Sequence, residues 1–237
     1  MSSQGSDQIA YDGGFEFNEE VADVFDNMLS RSIPDYRGMR DMVALVGGFF
    51  ADSPWHTVAD VGSSLGESFR PFAEAGCRVL SIEPSEPMLS RQRERFTEFD
   101  NIEYAKVCAA DGLGALEDDS LDLCIFCLTL QFMAMRERDE ALALAHKKLR
   151  AGGAVVIVQK DNTGCKTFDD IAGRKYYEIK KRNGYNREQI ETKKRALNGR
   201  MEIDTYRQSV GRLILAGFGD AYEFWRSLNF SAVLAIK

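Results

Sequence analysis

Thr57-Val58-Ala59-Asp60-Val61-Gly62-Ser63-Ser64-Leu65-Gly66 reads as a short apolar strand that runs into a loop of small residues. Such a loop at a strand-to-helix turn lets backbone N–H groups approach a ligand beside a helix N-terminus. Downstream, the pattern alternates. Ser68 to Ala75 reads as a helix stopped by Gly76, and Cys77–Ile82 as a second strand. Glu86–Phe99 is expected to be helical and Ile102–Val107 to be a third strand. Leu121–Cys127 is almost continuously apolar, as a strand buried on both faces should be. Arg136–Leu149 then reads as a helix, and Gly152-Gly153 turns into a fifth strand, Ala154–Gln159.

Residues 161–210 break the alternation, being polar, basic and helical, with a turn at Asn183-Gly184. A helix ends over Ser209–Ala216, with Gly217 as its stop. Ala221–Arg226 and Phe230–Ile236 then form a hairpin. Upstream of Thr57, residues 1–14 read as disordered. Asn18 reads as an N-cap followed by Glu19 and Glu20, with Val21, Val24, Phe25, Met28 and Leu29 at helical spacing. Ile33-Pro34 ends that helix, and a second runs from Tyr36 to Phe50. The prediction is an α/β, Rossmann-like domain over residues 15–237: five parallel strands plus a C-terminal hairpin, with N-terminal helices and a helical cap at 161–210. That layout resembles the class I S-adenosylmethionine (SAM) methyltransferases and differs from a dinucleotide dehydrogenase, which continues with parallel strands.

The chain has 237 residues, 44% of them hydrophobic, enough to bury a core without a disulfide or metal staple. No apolar run approaches the roughly 20 residues of a membrane span. Polar Met1–Asp7 lacks a signal-peptide core, so a cytoplasmic location is expected. The five cysteines show no paired metal spacing and read as reduced thiols. Residues 146–212 hold 17 Lys/Arg against 8 Asp/Glu, whereas residues 1–145 hold 11 against 27. A basic stretch on an acidic body suggests an anionic partner there, a small molecule or RNA; the alternative is a solvated helical surface.

The glycine loop admits three readings. Glu83 lies 21 residues beyond Gly62, at the end of the second strand, where an acid can accept hydrogen bonds from both hydroxyls of a ribose. A nicotinamide site prefers Gly-x-Gly-x-x-Gly, whereas here the glycines are four apart, so pyrophosphate is disfavoured. Gly62-x-Ser64-x-Gly66 also matches a hydrolase nucleophile elbow, but His56 precedes the loop and His146 lies inside an amphipathic helix, where it reads as a surface residue. Asp111-Gly112, after the third strand, sits where an acid can meet an adenine amino group. Cys127 ends the fourth strand facing the ligand crevice, while Cys124 points to the opposite face, so the two are not a redox or metal pair. No metal site is expected. The absence of an Asn-Pro-Pro-Tyr type segment argues against methylation of a base amino nitrogen.

Several segments together resemble the carboxy-SAM synthases, SAM-binding proteins of wobble-uridine tRNA modification. They are Phe25-x-x-Met28, Arg31-Ser32-Ile33-Pro34-x-Tyr36, the loop Asp60 to Gly66, Thr129-Leu130-Gln131-Phe132, Asn183-Gly184-Tyr185 and Asn229-Phe230. In that family a carboxyl group derived from prephenate is placed on the SAM methyl carbon. The resemblance implies that Tyr36, Gly62, Ser63, Ser64, Glu83, Asp111 and Gly112 bind SAM, S-adenosylhomocysteine or carboxy-SAM. Asp60, Gly66, Pro84 and Cys127 complete the expected cofactor set. Four positions depart from the family pattern: Glu83 stands for a shorter Asp, Pro84 for an Asn, Cys127 for an Asn, and Lys194 for the Arg that grips the extra carboxylate. Arg195 is next door but about 100° round the helix. A guanidinium grips a carboxylate with two parallel hydrogen bonds, where Lys offers a point charge.

The leading expectation is therefore a SAM-dependent methyltransferase of this family. Carboxy-SAM synthesis is the alternative, and a non-catalytic SAM-binding regulator comes third. Methyl transfer needs chiefly alignment, so no catalytic signature is required; Tyr36 and Tyr185 could orient an acceptor. A homodimer is expected from the resemblance and from the apolar faces of the first two helices.

Overall fold

Alternate residues of the central strands feed two separate cores, because successive side chains of a strand point to opposite faces. The computed structural model describes residues 14–237, so the expectation for residues 1–13 lies outside it. Five strands run parallel: β1 (Thr57–Val61), β2 (Arg78–Ile82), β3 (Ile102–Ala105), β4 (Leu121–Cys127) and β5 (Leu149–Lys160). The hairpin of β6 (Ala221–Ser227) and β7 (Phe230–Ile236) joins them, with β7 antiparallel to β5. The strand order is β3-β2-β1-β4-β5-β7-β6. The order reverses between β1 and β4, and ligands of such sheets bind outside the strand C-termini at that point.

Cys124, Phe126, Val155 and Ile157 face one core, covered by α5 (Ala109–Gly114), α6 (Met135–Lys148) and α9 (Tyr206–Leu215). Leu123, Ile125, Val156 and Val158 face the other, covered by α2 (Tyr36–Gly47), α3 (Arg70–Glu74) and the end of α4 (Glu86–Arg95). Cys124 and Cys127 fall on opposite faces, as their spacing predicts. A third cluster lies over the glycine loop. There α1 (Glu19–Ser32) sets Val21, Ala22, Phe25 and Met28 against Leu65, Met88 and Ala196.

Helix ends differ from expectation for identifiable reasons. Asn18 caps α1 as predicted, its side chain accepting from the Val21 N–H at 3.0 Å. The second helix stops at Gly47 rather than Phe50, where a Cβ would lie 2.6 Å from the Phe72 ring. The third begins only at Arg70, next to Pro71, whose fixed φ suits a first turn. The fourth stops before Phe96, which turns inward to stack on Phe69 at 4.9 Å. Strand β5 begins five residues before the expected Ala154, because Leu149 already pairs with Leu121 and Gly152 donates to Lys237. His146 is not a plain surface residue: its ring packs edge-on against Phe218 at 4.9 Å.

Residues 161–210 form α7 (Lys166–Arg182) and α8 (Arg187–Leu197), and they are tied down at both ends. Arg31 Nε donates to the Asn183 carbonyl at 2.8 Å, Asn183 Nδ2 returns to the Arg31 carbonyl at 3.0 Å, and the guanidinium lies 4.2 Å over the Tyr185 ring. Two sequence segments 152 residues apart thus clasp each other. At the other end Arg138, 2% exposed, holds Asp204 at 2.9 Å and the Glu202 carbonyl at 2.6 Å.

Candidate SAM-binding site

The C-termini of β1, β2, β4 and β5 open into a cavity of about 1090 Å3, roofed by α1 and α8. The glycine loop forms its floor. Gly62 (φ +69°), Ser64 (φ +51°) and Gly66 (φ +84°) all take left-handed backbone. At Gly62 a side chain is excluded sterically: a Cβ would lie 2.7 Å from Thr129 Oγ1 and closer still to its Cγ2. Thr129 is fixed there by donating to the Val61 carbonyl at 2.8 Å.

A buried polar network sets the loop's shape. Ser63 Oγ and Ser81 Oγ are 2.7 Å apart, Ser81 Oγ donates to Gln92 Oε1 at 2.6 Å, and Gln92 Nε2 returns to Ser63 Oγ at 2.9 Å. Gln92 also donates to the Ser64 carbonyl. Loop, β2 and α4 are locked together, and a satisfied network of this kind specifies one conformation. Gly62 and Ser63 donate their N–H groups to Ile82, and Ser64 donates to Glu83. These amides are therefore committed within the protein, and the loop lacks the open N–H cradle a pyrophosphate needs.

Glu83 is 6% exposed and stands at the cavity wall. Its Oε2 accepts from the Ser64 N–H and its Oε1 from the Ser85 N–H, both at 2.9 Å. Burial pushes this carboxyl up, and the two N–H donors oppose that by favouring the charged form. Each oxygen retains a lone pair for a ligand hydroxyl.

Other expected residues fall in three groups. Tyr36, Ser63, Ser64, Pro84, Cys127 and Lys194 line the cavity with Glu83 and Gly62. Burial, then the neighbouring Cys127, pushes the Tyr36 phenol well up, so it is a proton-holding donor rather than a base. Cys127 is likewise held as a neutral thiol by burial. Asp60 and Gly66 lie behind the loop. Asp60 is fully buried, takes the Ser68 hydroxyl at 2.5 Å on Oδ2, and leaves Oδ1 without a partner. Burial pushes its pKa up to about 7, Ser68 opposing and Glu83 adding. Gly66 makes room for the Phe69 and Phe96 rings.

Asp111, Gly112, Tyr185 and Arg195 are outside the wall. Asp111 is exposed in the first turn of α5, and Cys108, Ala109 and Ala110 form the wall beside it. Gly112 packs on Ile82. Tyr185 is 6% exposed beneath Arg31, with Ser32 Oγ 3.5 Å from its hydroxyl; that is a packing role. Arg195 is exposed and donates to Thr192 at 3.0 Å, so the one-residue rotation separates it from Lys194. Sequence reading missed Gln92, Lys160, Lys180 and Arg40. Arg40 pairs with Glu67, yet its Nε is buried without a partner at the cavity wall. No spacing rule marks any of these four, because each reaches the site from a different element. Among the described residues no group of His, Cys, Asp or Glu could hold a metal ion, and no helix is long and apolar enough to cross a membrane.

Comparison with known proteins agrees with this geometry. A family model described as a methyltransferase domain matches residues 59–157. The carboxy-S-adenosyl-L-methionine synthase of Pseudomonas putida is 31% identical over 94% of this chain and 92% of its own length. That of Sodalis glossinidius is 28% identical over 97% and 94%. A SAM-dependent methyltransferase from Archaeoglobus fulgidus superimposes with a TM-score of 0.65 at 14% identity, covering 90% of this chain and 99% of that one. Human N-acetylserotonin methyltransferase, solved in complex with SAM, gives 0.60 at 14% identity over 92% and 55%. The structural likenesses show the class I methyltransferase fold; the near-full-length relatives show that the chain belongs to the carboxy-S-adenosyl-L-methionine synthase family, a branch of the SAM-dependent transferases.

Proposed function

We propose that this enzyme makes carboxy-SAM, placing a carboxyl group from prephenate onto the methyl carbon of SAM. The observation that carries the SAM half is the Glu83 carboxylate, buried at the cavity wall with both oxygens tethered and lone pairs to spare. It would accept from the two ribose hydroxyls. The unpartnered Arg40 Nε fits the carboxylate of the methionine end, since a buried donor left unmade costs about 1–3 kcal/mol. In that reaction prephenate would lose its ring carboxylate as CO2 and its hydroxyl as hydroxide, leaving phenylpyruvate. The hydroxide would take a proton from the SAM methyl group, which the sulfonium makes acidic, and that carbon would bond to the CO2 with its S–C bond intact. The protein's part is to hold the methyl carbon against the departing carboxylate and to exclude bulk water beneath α1 and α8.

Incubating the protein with SAM and prephenate and weighing the nucleoside product tests the reading: carboxy-SAM is expected, and recovery of unchanged SAM sinks it. One observation favours plain methyl transfer to a small acceptor as a second reading. Lys194 lines the cavity where the family resemblance implies Arg, and Arg195 lies outside it. If methyl transfer is the reaction, Lys194→Arg should gain affinity for carboxy-SAM over SAM.

A further inference from the structure

Three lysines line the cavity on the side away from Glu83, with Lys180 buried, Lys160 half-buried and Lys194 exposed. Lys160 ends β5, Lys180 lies on α7 and Lys194 on α8, and all three line the wall. Lys160 and Lys180 both lie over the ring of Tyr176, at 5.3 Å and 4.2 Å. Tyr176 in turn packs edge-on against Phe230 at 5.7 Å, and Phe230 pairs with Lys160 across the sheet. The Lys160 N–H donates to Gln131 Oε1 at 3.0 Å, in the same turn as Thr129, which rests on Gly62. Lys160 thus stands on a strand two places from β1, about 10 Å across the sheet.

Among the described residues no ion pair reaches any of the three lysines, although Glu191 lines the same cavity. Lys180 is only 8% exposed. A ring face offsets only part of the cost of burying a cation, and the like charges repel one another. Asn229, also in the wall, has a buried Oδ1 without a partner. Two partly desolvated ammonium groups over one ring, with exposed Lys194 beside them, fit a ligand that brings the opposite charge.

We propose that Lys160 and Lys180, together with Lys194, form the subsite that grips the carboxylate end of the second substrate, with Asn229 meeting a hydroxyl of the same molecule. This rests on the SAM reading for the other half of the cavity, and it replaces a single gripping cation with three. Burial, then Lys160, brings the Lys180 pKa down to about 8. An incoming carboxylate favours the ammonium, so binding at pH 8 draws in a fraction of a proton.

The test is calorimetric titration of prephenate, and separately of malonate, into the protein saturated with S-adenosylhomocysteine at pH 8, in Hepes and in Tris. Net proton uptake is expected from the difference between the buffers. Lys180→Gln should abolish that uptake and weaken prephenate at least tenfold, leaving S-adenosylhomocysteine within twofold. Lys180→Arg should restore affinity without the proton uptake. Undiminished prephenate affinity in Lys180→Gln and Lys160→Gln overturns the subsite, as does absence of binding by both anions. Lysine-dependent binding of malonate with no binding of prephenate keeps the subsite and sinks carboxy-SAM synthesis. Failure of the wild type to bind S-adenosylhomocysteine sinks the SAM reading instead; lysine-dependent anion binding in that protein would still support the subsite.

Discussion

Gly62→Ala perturbs the point where the first strand, the glycine loop and the turn after β4 meet. The new methyl group would lie 2.7 Å from Thr129 Oγ1 and 3.1 Å from its Cβ. Neither neighbour yields easily, because Thr129 is held by its 2.8 Å hydrogen bond to Val61. Overpacking of this kind costs about 1–3 kcal/mol. Alanine at φ +69° adds about 1–2 kcal/mol of backbone strain. The expected sum is about 3 kcal/mol, or a fall in Tm of roughly 6–12 °C for a chain of this size. Thermal unfolding of four proteins isolates the cause: wild type, Gly62→Ala, Thr129→Ala and the double variant. Thr129→Ala alone should cost about 1 kcal/mol for the lost hydrogen bond. It should also relieve the clash, so that the double variant is about 1–2 kcal/mol more stable than additivity predicts. Additive behaviour within about 0.5 kcal/mol would refute the steric account of Gly62.

Glu83→Gln puts an amide where two N–H groups now donate; S-adenosylhomocysteine affinity should fall by about 2 kcal/mol, roughly 30-fold, and unchanged affinity would remove Glu83 from the ribose. Asp60 carries a pKa raised from 3.8 to about 7, so the folded state holds a proton that the unfolded state releases. Its contribution to stability is therefore lost as pH rises from about 4 to about 7. Asp60→Asn should flatten that component in chemical denaturation, and an unaltered pH profile would contradict it. RNA affinity should show a shallow log–log salt slope, because many cations of residues 146–212 already pair within the chain, as Lys148 does with Asp118 and Arg212 with Asp204. A slope near −5 would overturn that expectation. Light scattering should return twice the 26.6 kDa chain mass, with exposed Leu45 and Phe49 at the contact, and a monomer at micromolar concentration would rule the dimer out.

What could be read in the sequence was whatever one element carries alone. The apolar run Leu121–Cys127 is the observed β4 to the residue, because a doubly buried strand needs unbroken apolar character. The Asn18 cap and the meeting of the glycine loop with Glu83 at the cavity wall were legible because each follows from spacing along one or two adjoining elements. Helix ends were read too long at Phe50 and Phe99, since tertiary contacts of Gly47 and Phe96 decide them. Of the apolar residues of the first two helices that suggested a dimer, Val21, Phe25, Met28, Met39 and Val43 are buried within the chain, and only Leu45, with Phe49 just beyond α2, is left exposed for a contact. Asp111 read as an acid for an adenine amino group because nothing in the sequence shows that α5 winds through it and leaves it exposed outside the cavity wall. The lysine cluster was illegible, being assembled from β5, α7 and α8 around a tyrosine whose neighbours only the fold supplies.

A crystal structure of the protein grown with S-adenosylhomocysteine tests the central claim most directly. The ribose hydroxyls should lie within hydrogen-bond distance of both Glu83 oxygens. The sulfur should face the lysine end of the cavity, and the amino-acid carboxylate should reach Arg40 Nε. Nucleoside density away from Glu83, or a loop unchanged around a ligand bound elsewhere on the surface, would contradict the assignment of this cavity to SAM.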